Sequence, residues 1–484
     1  MTEITDLSAL DLSGRIADGR LDAVTVMTAF LDRIAALNPH LNAIVSLRPR
    51  DELLDQARQA DRTPRKGWLH GLPIAVKDLA AVKGLRTTWG SPIFADHVPA
   101  ADDLVVARMR AAGAIFIGKS NTPEWGLGSH SVNAVFGATR NPYDLGRSAG
   151  GSSGGAAAAL AARLVPVADG SDMMGSLRNP AAFCNVYGFR PSWGLVPGDP
   201  VGDSFVTTLT TAGPMARSPR DLAHLLTTLA GPHPAVPFGR ESRDFGAALD
   251  GDVAGTRIGW LGDWGGAYPC EDGILSLCEA ALARFEDLGC RIVRLPPPFP
   301  AERLWHSWTT LRAFLNAGAR RALYDDPDKR ALMKPEARWE IEQGLALSAA
   351  QIHEASTIRS EWYRRAARLF EDVDAVALPS AQVWPFPVDW RWPETVGGRP
   401  ADTYHRWMEI VVPVSLAGLP CLSVPVGFGG NDLPMGMQLA GSTGSDAAIL
   451  NLGQAWHVAT DWPARRKPRL PLPPHAEADA PRQL

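Results

Sequence analysis

Seven short apolar runs are spread along the chain: "PIAVK" (73–77), "AIFIG" (114–118), "LVPVA" (164–168), "RIGWL" (257–261), "RIVRL" (291–295), "DAVALP" (374–379) and "LSVPVGF" (422–428). Short apolar runs of this length read as buried strands. Helical stretches lie between them, and that alternation predicts an α/β layered fold. The clearest helix is "DAVTVMTAFLDRIAAL", where Val24, Met27, Phe30, Leu31, Ile34 and Leu37 recur at helical spacing and Pro39 follows. It belongs to a mostly helical segment over residues 1–62. The α/β body is expected over 63–466 as one domain, with a mostly helical insert at about 311–370. Residues 232–257, rich in Pro, Gly and charge, read as a long surface connection. The last stretch, 467–484, has too few apolar residues to build a core and reads as a loose tail.

Composition narrows the function classes. The chain has 484 residues, of which 45 % are apolar and 21 % charged, with a net charge of −4. No dense basic face is present, which disfavours nucleic acid as a partner. No apolar run approaches the ~18 residues of a membrane span, and "MTEITDLSALDLSG" lacks the regions of a secretory signal. The five cysteines, Cys184, Cys270, Cys278, Cys290 and Cys421, are scattered and odd in number. They suit reduced thiols in a cytoplasm. "HEAST" at His353 starts like a zinc motif but ends in Thr357, and no C-x-x-C occurs, so neither a metal nor a cofactor is expected.

Two short patterns compete for attention. "GAIFIGKS" (113–120) spells a phosphate-binding loop, yet Ala114, Ile115, Phe116 and Ile117 read as a buried strand where that loop needs backbone N–H groups free. ATP binding is therefore disfavoured. "GSSGG" (151–155) spells a hydrolase nucleophile elbow around Ser153, but the turn-like "NPYDLGRSAG" stands where the elbow needs a strand. A flexible Gly/Ser linker fits poorly, because "AAAALAARL" begins a helix at once. Anion capture at that helix N-terminus remains open.

Four blocks together are more specific than any of these: "GLPIAVKDL" (71–79), "GKSNTPEWG" (118–126), "GGSSGGAAAA" (150–159) and "GSDMMGSLRNPAAF" (170–183). With "GLPCLSVPVGFGGNDLPMGMQLAG" (418–441), they resemble the amidase signature family in content and order. The resemblance implies a large mixed twisted β-sheet covered by helices on both faces. It also implies a Ser–Ser–Lys triad of Lys77, Ser152 (in a cis peptide) and Ser176 as nucleophile. "GKSN" then resembles that fold's strand-to-loop junction, with no ATP role for Lys119. Ser153, Asp172 and Arg178 match supporting positions, and the family commonly forms homodimers.

The chemistry also follows from the residue types. Serine needs a base to become a nucleophile, and lysine serves only if burial lowers its pKa. Lys77 ends an apolar run, while Asp78 points to the opposite face of a continuing strand. Backbone N–H groups of Met173, Met174, Gly175 and Ser176 would hold the oxyanion. Met174 stands where the family usually has a small residue, so it is expected either to be strained at positive φ or to reshape the acyl pocket. Ala149 replaces a common Pro. Taken singly, Lys77 reads as a surface lysine and Ser176 as a helix N-cap; the joint pattern reverses both readings.

Sixteen tryptophans are many, and Trp125, Trp305, Trp308, Trp384 and Trp390 fall in or near loops. They read equally as core and as lining of an apolar pocket. The expected substrate is a small linear amide with an apolar or aromatic part, with carbamates or esters as side substrates. Two alternatives stand beside it: an ammonia-supplying subunit of a tRNA-dependent amidotransferase, whose signature usually has Gln at Asn179, and a binding protein whose site Met173 and Met174 have spoiled.

Overall fold

The computed structural model describes residues 3–470; residues 471–484, most of the expected tail, lie outside the described residues. Its centre is an eight-stranded mixed sheet. In spatial order the strands are Arg291–Arg294, Arg257–Trp260, Ala375–Pro379, Pro434–Ala440, Cys421–Phe428, Tyr187–Arg190, Thr211–Ala216 and Val167–Asp172. The first three are parallel, and the remaining neighbours pair antiparallel. Helices cover both faces. Ser423 and Ala182 of the helix Arg178–Phe183 both crowd Gly436. Leu422, one residue from Ser423 and so on the other face, packs on Gly453 of the helix Asp446–Thr460.

A second sheet of three strands, Ile44–Val45, Ile115–Ser120 and Pro73–Lys77, stands beside the large one. Every residue of its two longer strands is buried, which is why both read as unbroken apolar runs. The Lys77 N–H donates to Asp169 Oδ1 at 3.0 Å and ties the small sheet to the edge strand of the large one.

The helix Gly154–Ala161 fills the space between the two sheets, with all its residues buried. Only small side chains fit there. A Cβ on Gly155 would lie 2.2 Å from the Asn121 N and 2.6 Å from the Ala43 O. Gly155→Ala is therefore expected to destabilise the protein by about 3 kcal/mol or more, read as a lower urea midpoint. An unchanged midpoint would refute this packing. The Gly/Ser-rich centre is thus a close-packing device.

Four features differ from the sequence reading. The strand expected at 164–168 starts at Val167 and runs on to Asp172, because Pro166 has no N–H and the Leu164 N–H closes a turn onto Ala159 O. The strands Tyr187–Arg190 and Thr211–Ala216 were not anticipated, since Gly188, Gly213 and Pro214 disguise them. Pro39 lies inside the last turn of the helix Ala23–Leu41, not past its end. The long helices of the insert are Ala301–Asp325, Pro335–Leu345 and Ala349–Asp372, so the helical run begins before residue 311.

Candidate active site

Lys77 is the last residue of its strand and is 1 % exposed. Its Nζ lies 2.8 Å from Ser152 Oγ, 2.7 Å from Ser153 Oγ, 3.1 Å from Ser171 Oγ and 3.3 Å from Ser171 O. Burial pushes the ammonium down to about 7, against the upward pull of Asp169 and Asp172. A group in that position loses and regains a proton near neutral pH. Asp78 turns the other way, as strand alternation requires, and accepts from the Thr88 N–H and hydroxyl. The Gly151–Ser152 peptide is cis.

Ser176 follows the strand Val167–Asp172 and does not cap the helix Arg178–Phe183, whose N-cap is Leu177. It is 6 % exposed and fronts a cavity of about 500 Å³ shared with Lys77, Ser152 and Ser171. The Ser153 N–H donates to Ser176 O at 3.3 Å and joins the two serine loops.

Asp172 organises the turn between them. Its carboxylate accepts from the Gly175 N–H at 2.9 Å, the Leu177 N–H at 3.1 Å, Arg178 through two nitrogens at 3.0 Å, and Arg190 at 3.2 Å. Burial alone would raise this carboxyl, but the Arg178 and Arg190 guanidinium groups outweigh it and hold the carboxyl well below the usual range. This corrects one expectation. The Gly175 N–H is committed to Asp172, so among residues 173–176 the N–H groups of Met173, Met174 and Ser176 are the ones left for an oxyanion.

The two methionines also separate. The left-handed backbone falls at Gly175 (φ 79°), where a Cβ would meet Val411 at 2.9 Å, and not at Met174. Met174 buries its side chain in the core, while Met173 lines the cavity, with its Sδ accepting from Arg312 Nη1 at 3.5 Å. Neither methionine is strained at positive φ, and the side chain that shapes the pocket is that of Met173, not Met174. Of the five tryptophans singled out, Trp125 lines the cavity; Trp305 and Trp308, one turn apart, are core. Trp384 is buried elsewhere and Trp390 is a surface residue. Trp89 and Trp193, not foreseen, also line it.

Ser171 and Asp169 were missed as well, although their spacing of two along the strand places both toward Lys77. So were Arg312, Asn316 and Arg320, which recur every four residues on the helix Ala301–Asp325 and all reach the cavity wall. Among the described residues no His, Cys, Asp and Glu cluster could hold a metal ion, and no helix is long and apolar enough to cross a membrane.

Comparison with known proteins bears on the family and the fold. The Amidase family model matches residues 25–450. An acylamidase of Rhodococcus erythropolis is 32 % identical over 96 % of this chain and 97 % of its own. The matching subunit of the glutamyl-tRNA(Gln) amidotransferase of Thermus thermophilus is 36 % identical over 96 % and 99 %. The crystal structure of a bacterial aryl acylamidase superposes with a TM-score of 0.88 at 28 % identity, covering 95 % of this chain and 99 % of that one. The chain belongs to the amidase signature family, hydrolases that act on amide C–N bonds.

Proposed function

We propose that this protein hydrolyses a linear carboxylic amide with an apolar or aromatic part, by way of an acyl-enzyme on Ser176. The observation that carries the reading is a buried lysine, poised near neutral pH, 2.8 Å from Ser152 Oγ on the wall of the cavity that Ser176 fronts. Neutral Lys77 takes the Ser152 hydroxyl proton as Ser152 takes that of Ser176. Ser176 Oγ then bonds to the carbonyl carbon. The N–H groups of Met173, Met174 and Ser176 face the oxyanion, each good donor contributing roughly 3–4 kcal/mol. The C–N bond breaks as the proton returns through Ser152 to the leaving nitrogen, and water releases the acid from Ser176. Asp172 and Arg178 hold the turn that presents Ser176. Trp125, Trp89 and Met173 give the cavity an apolar side for the substrate body. The five free cysteines suit a cytoplasmic setting.

Mass-spectrometric turnover across matched aliphatic and aromatic amides, esters and carbamates tests this, with Ser176→Ala as control. Aromatic amides are expected to be cleaved fastest, and a preference for small charged amides would overturn the substrate class. The pH profile gives a second check. The reactive form of Lys77 is the neutral amine, so kcat/KM should rise about tenfold per pH unit below about 7 and level off above it. A flat profile from pH 5 to 9 would remove Lys77 as the base.

A second reading is favoured by the 36 % identity to the amidotransferase component: a chain that releases ammonia from glutamine inside a complex. Glutamine hydrolysis appearing only with a co-purifying partner would support it over the stand-alone amidase.

A further inference from the structure

The cavity that holds the serines is also lined by a guanidinium group with no ion-pair partner among the described residues. Arg320 Nη1 donates to Asn316 Oδ1 at 2.7 Å, and its Nε is buried with no hydrogen-bond partner. The two nearby glutamates are taken: Glu340 binds Arg312, Asn316 and the Tyr404 hydroxyl, and Glu124 accepts from the Ser91 hydroxyl and the Lys334 N–H. Arg320 instead lies over the Trp125 ring, 5.2 Å from its centroid. Two further acidic groups that line the cavity, Asp103 and Asp199, accept from the N–H groups of Ala81 and Leu104.

Trp125 places this group relative to the chemistry. Its neighbour Gly126 packs on the Ser152 hydroxyl, which lies 3.3 Å from where a Gly126 Cβ would be. Trp125 itself has a left-handed backbone (φ 50°), unusual for a large side chain, fixed by its N–H on Trp89 O at 2.7 Å. Gly126 at the relay serine and the Trp125 indole under Arg320 thus link the two groups along one short segment. A substrate ring lying along Trp125 would bring a group at its far end to the guanidinium, whose planar fork suits a carboxylate.

We propose that Arg320, backed by Trp125 and Asn316, is a specificity subsite for a carboxylate on the far side of an aryl amide substrate. This rests on the hydrolytic reading of the Ser176 site and narrows its substrate class to aromatic amides that carry an acid.

The test separates the two ideas by measuring binding apart from turnover. The probes are 4-acetamidobenzoate and its methyl ester, which differ in one charge. Their dissociation constants are measured by calorimetry on the Ser176→Ala protein, which needs no catalysis. The carboxylate should bind at least about tenfold more tightly. Adding Arg320→Met should bring the ratio to near one, while Arg320→Lys should keep part of it. Equal binding of the two probes, or an Arg320→Met loss that strikes both alike, would overturn the subsite and leave a structural role for Arg320. Failure of the wild-type protein to cleave either probe, with the binding ratio intact, would count against the hydrolytic reading and keep the subsite.

Discussion

Ser176→Ala is expected to lower kcat/KM on the best amide by roughly 10⁴- to 10⁶-fold while the unfolding free energy from urea denaturation stays within about 0.5 kcal/mol of wild type. The asymmetry follows from the site. Ser176 is held through its backbone, by the Ser153 N–H on its carbonyl and by Asp172 on the flanking N–H groups of Gly175 and Leu177. Removing one oxygen at a cavity wall leaves that frame untouched. Because nucleophile, relay and base act as a unit, the triple variant of Ser176→Ala with Ser152→Ala and Lys77→Met should be no slower than Ser176→Ala alone. Lys77→Met should also flatten whatever pH dependence remains near 7. Single-turnover kinetics on the four proteins decide the matter. Activity that survives Ser176→Ala, or losses that multiply across the three sites, would place the chemistry elsewhere.

How far the sequence could carry this reading is visible in particular residues. Strands buried on both faces, such as Pro73–Lys77 and Ile115–Ser120, announce themselves as apolar runs, because every side chain has to leave water. Val167–Asp172 does not. Its half "DGSD" is polar because Asp169 and Ser171 face Lys77 while Asp172 takes Arg178 and Arg190 on the other face, so the residues that build the site hide the strand that carries them. Tyr187–Arg190 and Thr211–Ala216 are disguised by glycines where another backbone comes close, as when a Cβ on Gly188 would meet Leu177 O at 2.1 Å. The serine and lysine positions came from the match of four blocks to the amidase signature family in content and order; taken singly, Lys77 and Ser176 read as ordinary residues. The division of N–H groups between Asp172 and the oxyanion was not legible, since Gly175 and its neighbours look alike as letters. Part of the cavity's lining was also out of reach: Arg312, Asn316 and Arg320 read as ordinary polar positions of a helix until Glu340 is seen to neutralise the first and not the last.

Asp172→Asn should have the largest effect on stability, a loss of about 3–5 kcal/mol. The asparagine keeps the shape and one acceptor oxygen but removes the one ion-pair partner that Arg178 and Arg190, both fully buried, have among the described residues. Neither guanidinium can shed its proton at neutral pH, so the variant buries two cations with no anion against them. The sign of the pH dependence follows from the same contacts. The folded carboxyl lies below its ordinary value of 3.8, so its contribution is fully present above that value and is lost as pH falls from about 4 toward the lower folded value. Wild type should therefore lose stability over that acid range by a step that the variant lacks. Activity should fall with it, on the order of a hundredfold, because loosening the Gly175 and Leu177 N–H groups lets Ser176 drift, and a shift of about 1 Å is enough for that loss. Urea denaturation from about pH 1.5 to 7, run beside single-turnover rates at neutral pH, measures both. A variant as stable as wild type at pH 7 would mean that Gln438 and Ser415, which also accept from Arg178, suffice to hold the turn, and Asp172 would lose its place as the organiser of the site.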